Sequence, residues 1–238
     1  MIIVGKNPIV EAIKNKRNIS SLVVAEGLKD QGFIKLLKDY RIKYEILPQY
    51  VINKRYGDKN GGIVAEIVEY EYQTLDKVLK KTAKKPDGGV IMILDGLEDP
   101  HNLGAILRSA DATGADAIII PKNRSVSLNQ TVAKVSTGAI EYVDVVQVTN
   151  LTQTIQELKK NGYWVIGLEL DGTVDFKEQD YHGNTAIVVG SEGKGISRLV
   201  KENCDVLVKI PMYGKVNSLN ASVSAGLILY EVVRNRKA

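Results

Sequence analysis

The chain has 238 residues, 44% hydrophobic and 25% charged, with a formal net charge of +4; this is enough apolar material for a substantial core and rules out a disordered tail. No run approaches the roughly 18 apolar residues of a membrane span, and Lys6, Glu11, Lys14 and Lys16 charge the segment where a signal peptide would be apolar, so a cytoplasmic protein is expected. Cys204 is the only cysteine and His101 and His182 the only histidines, which excludes an internal disulfide and cysteine- or histidine-rich metal cages.

In chain order, residues 21–24 read as a strand, Gln31 to Tyr40 as a helix, and Lys43 to Leu47 and Ile63 to Val68 as strands, which together make a small α/β unit. Residues 1–86 hold 17 Lys and Arg against 10 Asp and Glu, whereas residues 87–238 hold 15 against 18. A basic small domain beside a mildly acidic remainder suits a polyanion held by the first and a small-molecule site in the second, although a lysine-rich solvated face has the same composition. The polar stretch over residues 71–87 ends in Lys84-Lys85-Pro86-Asp87-Gly88 and is expected as a linker, with a helical turn near Leu75 to Leu79. This divides the chain into domains 1–70 and 88–238.

From Gly89 the pattern turns regular. Strands are predicted at Val90 to Leu94, Ala117 to Ile120, Tyr142 to Val148, Tyr163 to Leu168, Thr185 to Val189 and Val206 to Ile210. Between and after them come helices at Leu103 to Thr113, Thr131 to Ser136, Leu151 to Asn161, Ile196 to Glu202 and Ser218 to Arg234. Such alternation implies an α/β fold with a mostly parallel sheet, whose ligands gather beyond the carboxyl ends of the strands. The loops after Leu94, Val189 and Ile210 are therefore where a site is expected.

In the first loop, Pro100 and Asn102 mark a helix start, and Arg108 follows on a helix otherwise made of Leu, Gly, Ala and Ile. Asn102 suits an N-cap as well as a site, and Arg108 suits a solvated position as well as a functional one. The second loop, Gly190-Ser191-Glu192-Gly193-Lys194-Gly195, is not a P-loop, because Gly195 is followed by Ile196 where Lys and Ser or Thr are required. It can bring backbone close to a small ligand and present the Glu192 carboxylate. The third loop carries Asn217, Ser218, Asn220, Ser222 and Ser224 at the opening of an apolar helix, more polar side chains than one cap uses.

These three stretches, Asn102-Leu103-Gly104 with Arg108, Gly190 to Gly195, and Ile210-Pro211-Met212 through Asn217-Ser218-Leu219-Asn220-Ala221-Ser222, together resemble the SpoU or TrmH-type RNA 2′-O-methyltransferases of the SPOUT class. Residues 4–12 are similar to the substrate-binding domain of the subgroup that methylates a guanosine of 23S ribosomal RNA. The resemblance implies a C-terminal domain with a deep trefoil knot, an N-terminal domain of ribosomal-protein L7Ae-like fold, and a homodimer through the knot region.

It further implies S-adenosylmethionine as cofactor, bound by Gly190, Ile210 and Leu219 with Thr137 and Gly138 nearby, and no metal. Arg108, Asn102, Glu192, Ser218 and Asn220 would form the catalytic set, and Lys14, Lys16 and Arg17 would contact RNA. Alternative readings are a transfer-RNA or antibiotic-resistance methyltransferase of the same family, and a non-catalytic RNA-binding protein of ribosome assembly.

Overall fold

The structure is a computed structural model and describes residues 1–216 and 218–237; Asn217, which opens the third motif's polar run, and Ala238 lie outside the described residues. The chain forms two compact units, one of residues 1–71 with 128–142 and one of residues 72–127 with 143–238.

In the first unit, β1 (Ile2–Val4) leads to α1 (Lys6–Lys14), β2 (Ile19–Ala25), α2 (Gln31–Asp39), β3 (Glu45–Leu47), α3 (Gln49–Tyr56) and β4 (Ile63–Ile67). Its sheet has the order β1-β4-β2-β3, with β4 antiparallel to both neighbours and β3 parallel to β2. Asp30 caps α2 by accepting from Phe33 N at 3.0 Å, and Phe33 and Leu37, one turn apart, are buried. Helices α1 and α3 and strand β1 were not legible as elements. Helix α3 buries only Ile52 and starts after Pro48 without a side-chain cap, so neither periodicity nor capping announces it.

In the second unit, α4 (Leu75–Thr82) lies inside the expected linker. Its Val78 is buried in the same cluster as Ile91, Ile119 and Val188, so the segment packs on this unit. Then come β5 (Val90–Asp95), α5 (Pro100–Thr113) and β6 (Ala117–Pro121). The chain next passes through α6 (Gln130–Val135), which belongs to the first unit, and returns with β7 (Asp144–Val148). The remainder is α7 (Leu151–Lys160), β8 (Trp164–Leu168), β9 (Val174–Asp175), β10 (Thr185–Gly190), α8 (Arg198–Glu202), β11 (Val206–Lys209) and α9 (Ala221–Lys237).

Among the described residues the second unit's seven strands run in the order β7-β6-β5-β10-β8-β11-β9, and every ladder between them is parallel. Every residue of β10 is buried, as are all of β5 but its last, as continuous apolar runs covered on both faces require. Each such Ile, Val or Leu contributes about 1.5 to 3 kcal/mol of burial. This order sets the loops after β5, β10 and β11 at one end of the sheet, with β10 between β5 and β8. Among the described residues no helix is long and apolar enough to cross a membrane.

A buried polar cluster ties residues 128–142 into the first unit. The Tyr70 hydroxyl donates to Glu141 Oε1 at 2.8 Å, and the Arg17 guanidinium lies 4.4 Å from the Tyr70 ring centre. Arg17 Nη2 donates to the carbonyls of Val68 and Glu69, at 2.8 and 3.2 Å, and Nε lies 3.8 Å from Glu141 Oε2. Burial raises the Glu141 carboxyl above the ordinary carboxylate range, outweighing the lowering by Tyr70 and Arg17; Glu11 also raises it.

An acid with a raised folded value binds its proton more tightly folded than unfolded, so its contribution to stability falls as pH rises from the unfolded value through the folded one. Glu141→Gln keeps an acceptor for Tyr70 and removes the titration. Between about pH 4 and pH 7 the Tm of the variant is expected to gain on that of the unaltered protein. Thermal melts at the two pH values check this, and an offset that stays constant contradicts it.

Candidate active site

Helix α5 starts three residues before the expected Leu103, because Asp99 caps it by accepting from His101 N at 2.8 Å. Asn102 is therefore not the cap but lies in the first turn, buried, with its amide free for other partners. Asn102 Nδ2 donates to Glu192 Oε1 at 2.9 Å, and Asn220 Nδ2 donates to the same oxygen at 2.6 Å and to Asn102 Oδ1 at 2.9 Å. Ala221 N also points at Glu192 Oε1, at 3.4 Å. Three predicted residues from three loops thus meet, separated by 90 and 28 positions in the chain.

Asn220 has a second task. Its Oδ1 accepts from Ser222 N at 2.9 Å, Ser222 Oγ at 2.5 Å and Val223 N at 3.4 Å, and so caps α9. This cap is why α9 begins at Ala221 and not at the expected Ser218. Glu192 Oε2, by contrast, accepts no hydrogen bond among the described residues, so the cluster fixes the carboxylate by one oxygen.

The second loop folds back on its strand. Ser191 and Gly195 exchange backbone hydrogen bonds of 3.2 and 2.9 Å, Ser197 N donates to Asp95 Oδ2 at 2.7 Å, and Ile196 N donates to Glu169 Oε1. Asp95 and Glu169 escaped the sequence reading. Each directly follows or ends a strand neighbouring β10, and strand order is not visible in a linear sequence.

Beside this loop a cavity of about 240 Å³ opens at the ends of the strands. Gly190, Ile210, Leu219 and Ser218 line it, with Leu168 and Met212 adding apolar wall and Glu169 a carboxylate. Glu192 lines it too, so five predicted residues share one cavity. Arg108 is exposed on α5 and makes no hydrogen bond or ion pair among the described residues.

Thr137 and Gly138 belong to the first unit, where Thr137 is exposed in left-handed conformation (φ 52°) and a Cβ on Gly138 would meet Glu11 Cβ at 2.8 Å. Lys14 pairs with Glu11 at 2.9 Å, Lys16 is exposed, and Arg17 is engaged with Tyr70 and two carbonyls. The Cys204 thiol is half-buried, and burial pushes it up to about 12, so it is not a thiolate nucleophile at neutral pH.

Residues 89–230 match the SpoU rRNA Methylase family, and residues 2–73 match the domain described as RNA 2′-O ribose methyltransferase substrate binding. A Staphylococcus aureus protein assigned by name to the TrmH family of tRNA/rRNA methyltransferases is 50% identical over 238 residues, covering 99% of this chain and 96% of its own. The Bacillus subtilis protein YacO, assigned by name to the same family, is 47% identical over 237 residues, with 98% and 95% covered.

Among solved structures, the SpoU methyltransferase AviRb from Streptomyces viridochromogenes, crystallised with the cofactor AdoMet, superposes with a TM-score of 0.84. It is 25% identical, with 100% of this chain and 90% of AviRb covered. A structure of an RNA 2′-O ribose methyltransferase gives 0.81 at 28% identity, with 100% and 89% covered. Matched over most of its length by both domains and joined by relatives at half identity, the chain belongs to the SpoU/TrmH family of RNA methyltransferases.

Proposed function

We infer that the protein transfers the methyl group of S-adenosylmethionine to a ribose 2′-hydroxyl of RNA, with a guanosine of 23S ribosomal RNA as its target. The observation that carries this reading is the Asn102–Glu192–Asn220 cluster at the edge of the cavity lined by Gly190, Ile210 and Leu219. The cavity suits such a cofactor: Leu168, Met212 and Leu219 offer apolar wall to a purine, the strand ends offer backbone groups, and Glu169 and Glu192 offer negative charge to a sulfonium. The chemistry the cofactor supplies when bound is an electrophilic methyl group on a positive sulfur.

The remaining work is positioning and removal of one proton, and orientation of bound reactants contributes about 7 to 11 kcal/mol in favourable cases. Asn102 and Asn220 hold Glu192 so that Oε2 faces a ligand. Ser218 contacts cofactor or ribose. Arg108, a guanidinium with donors and no acceptor, is unsuited as a base and instead binds phosphate and orients the ribose.

Because Arg108 stands apart from the cluster of its own chain, it serves the site of a second copy. Residues Val223, Leu227 and Tyr230, spaced four and three apart on α9 and 49%, 42% and 58% exposed, offer an apolar stripe for that homodimer. A trefoil knot through the third loop and a cytoplasmic location accompany the reading. On the first unit, Lys16 and the surface-paired Lys14 are available to RNA phosphate, while Arg17 supports them from its cluster.

Purified protein incubated with radiolabelled S-adenosylmethionine and either 23S ribosomal RNA transcripts or total transfer RNA tests this. The expected product is a 2′-O-methylguanosine in the 23S transcript. Label confined to transfer RNA replaces the substrate, and cofactor binding without label on either RNA removes the enzymatic reading.

A further inference from the structure

A second cavity, of about 250 Å³, shares Ser191, Glu192 and Lys194 with the first and is lined in addition by Glu98, Asp99 and Asn102. We propose that it receives the base of the target nucleotide and that Glu98 selects guanine there; this rests on the methyl-transfer reading above. The 2′-hydroxyl to be methylated has to lie where the two cavities meet, at the wall that Glu192 forms with its Asn102 bond. The base hangs from the carbon next to the one bearing that hydroxyl, so the cavity next to the cofactor's is the one it enters, and its volume suits a single base. Entry requires the base to be unstacked, as in other enzymes that act on a nucleotide within a larger nucleic acid.

The chemistry of the lining chooses the base. Glu98 is exposed and has no hydrogen-bond or ion-pair partner among the described residues, whereas Asp99 spends Oδ1 on capping α5. A carboxylate only accepts, through two neighbouring oxygens. Guanine is the base whose pairing edge offers two adjacent donors, N1–H and the N2 amino group; adenine offers one donor beside one acceptor, cytosine one donor beside two acceptors, and uracil one donor between two acceptors. Lys194, also without a partner among the described residues, supplies a donor for guanine O6 or N7.

Once the target nucleotide is mapped, an RNA carrying inosine at that position tests Glu98, because inosine keeps N1–H and lacks the amino group. With the unaltered protein the inosine substrate is expected to lose roughly 5- to 150-fold in kcat/KM, the discrimination typical of a two-bond base contact. Glu98→Ala should lose a similar factor on guanosine and then treat the two substrates alike, with S-adenosylmethionine affinity unchanged. An unchanged guanosine-to-inosine ratio in the variant overturns the proposal, and so does a pyrimidine target, which leaves methyl transfer itself intact. Titration with guanosine 5′-monophosphate against adenosine 5′-monophosphate reads the pocket without turnover. Preference for the former that Glu98→Ala abolishes supports the pocket even if no RNA is methylated, and equal weak binding of both removes it.

Discussion

Arg108→Ala is expected to lower kcat by about 10²- to 10³-fold, the usual cost of removing one preorganised charged donor from a transition state, while cofactor affinity stays within a few fold. Arg108→Lys keeps charge but not the planar fork that grips a phosphate through two bonds, so it should recover only part of the loss. The decisive measurement is complementation. In a mixed dimer of an Arg108→Ala chain with an Asn220→Ala chain, one site would hold both defects and the other neither, provided that Arg108 serves the partner's site.

Random pairing then restores about a quarter of the unaltered activity from two inactive proteins. If Arg108 serves its own chain, the mixture stays inactive. Either outcome interprets the isolation of Arg108 from the Asn102–Glu192–Asn220 cluster, which is otherwise unexpected for a residue only six positions along the same helix from Asn102.

The second large effect is expected at Gly190. This residue ends β10 opposite Asp95, and a Cβ there would overlap the backbone of Gly195 and Ile196, where the loop folds back to make the Ser191–Gly195 pair. Because the obstacle is backbone and not a side chain that can turn away, Gly190→Ala should cost about 3 kcal/mol, the upper end for overpacking. For a chain of this length that lowers Tm by roughly 6 to 12 °C, and S-adenosylmethionine binding should be lost with the loop. Gly193→Ala is the control: its φ is +76° but nothing lies within 4 Å of an added Cβ. Only a left-handed backbone cost of about 1 to 2 kcal/mol is expected there, with cofactor binding retained. Calorimetric titration and thermal melts of the two variants compare them, and normal binding by Gly190→Ala would refute the close-approach account.

Much of the second unit was legible because its strands are continuous apolar runs bounded by polar turns. β5, β6, β8, β10 and β11 lie within one residue of their predicted limits, and the three loops that follow β5, β10 and β11 carry the cluster. What was not legible has two physical sources. Weakly amphipathic or uncapped elements such as α3 give no periodic signal, and the two-residue β9 exists only because β11 runs beside it. The other source is lateral order: nothing in the sequence says that β10 lies between β5 and β8, and this alone brings Glu169 and Asp95 to the glycine loop. Caps decided two helix starts, Asp99 that of α5 and Asn220 that of α9, whereas β7 and α8 each begin two residues after their expected starts without such a signal.

The excursion of residues 128–142 into the first unit limits how the protein can be dissected. A gene fragment starting at Tyr72 would still encode Glu141, a side chain with only 3% of its surface exposed, but would lack the hydroxyl of Tyr70 and the guanidinium of Arg17 that accompany it. Val132, Ala133 and Ile140, buried in the intact chain, would lose the N-terminal residues of their own unit as well. Such a fragment would inherit an orphaned acid and a bare apolar face, so it is expected to fold less stably than the same residues in the intact chain.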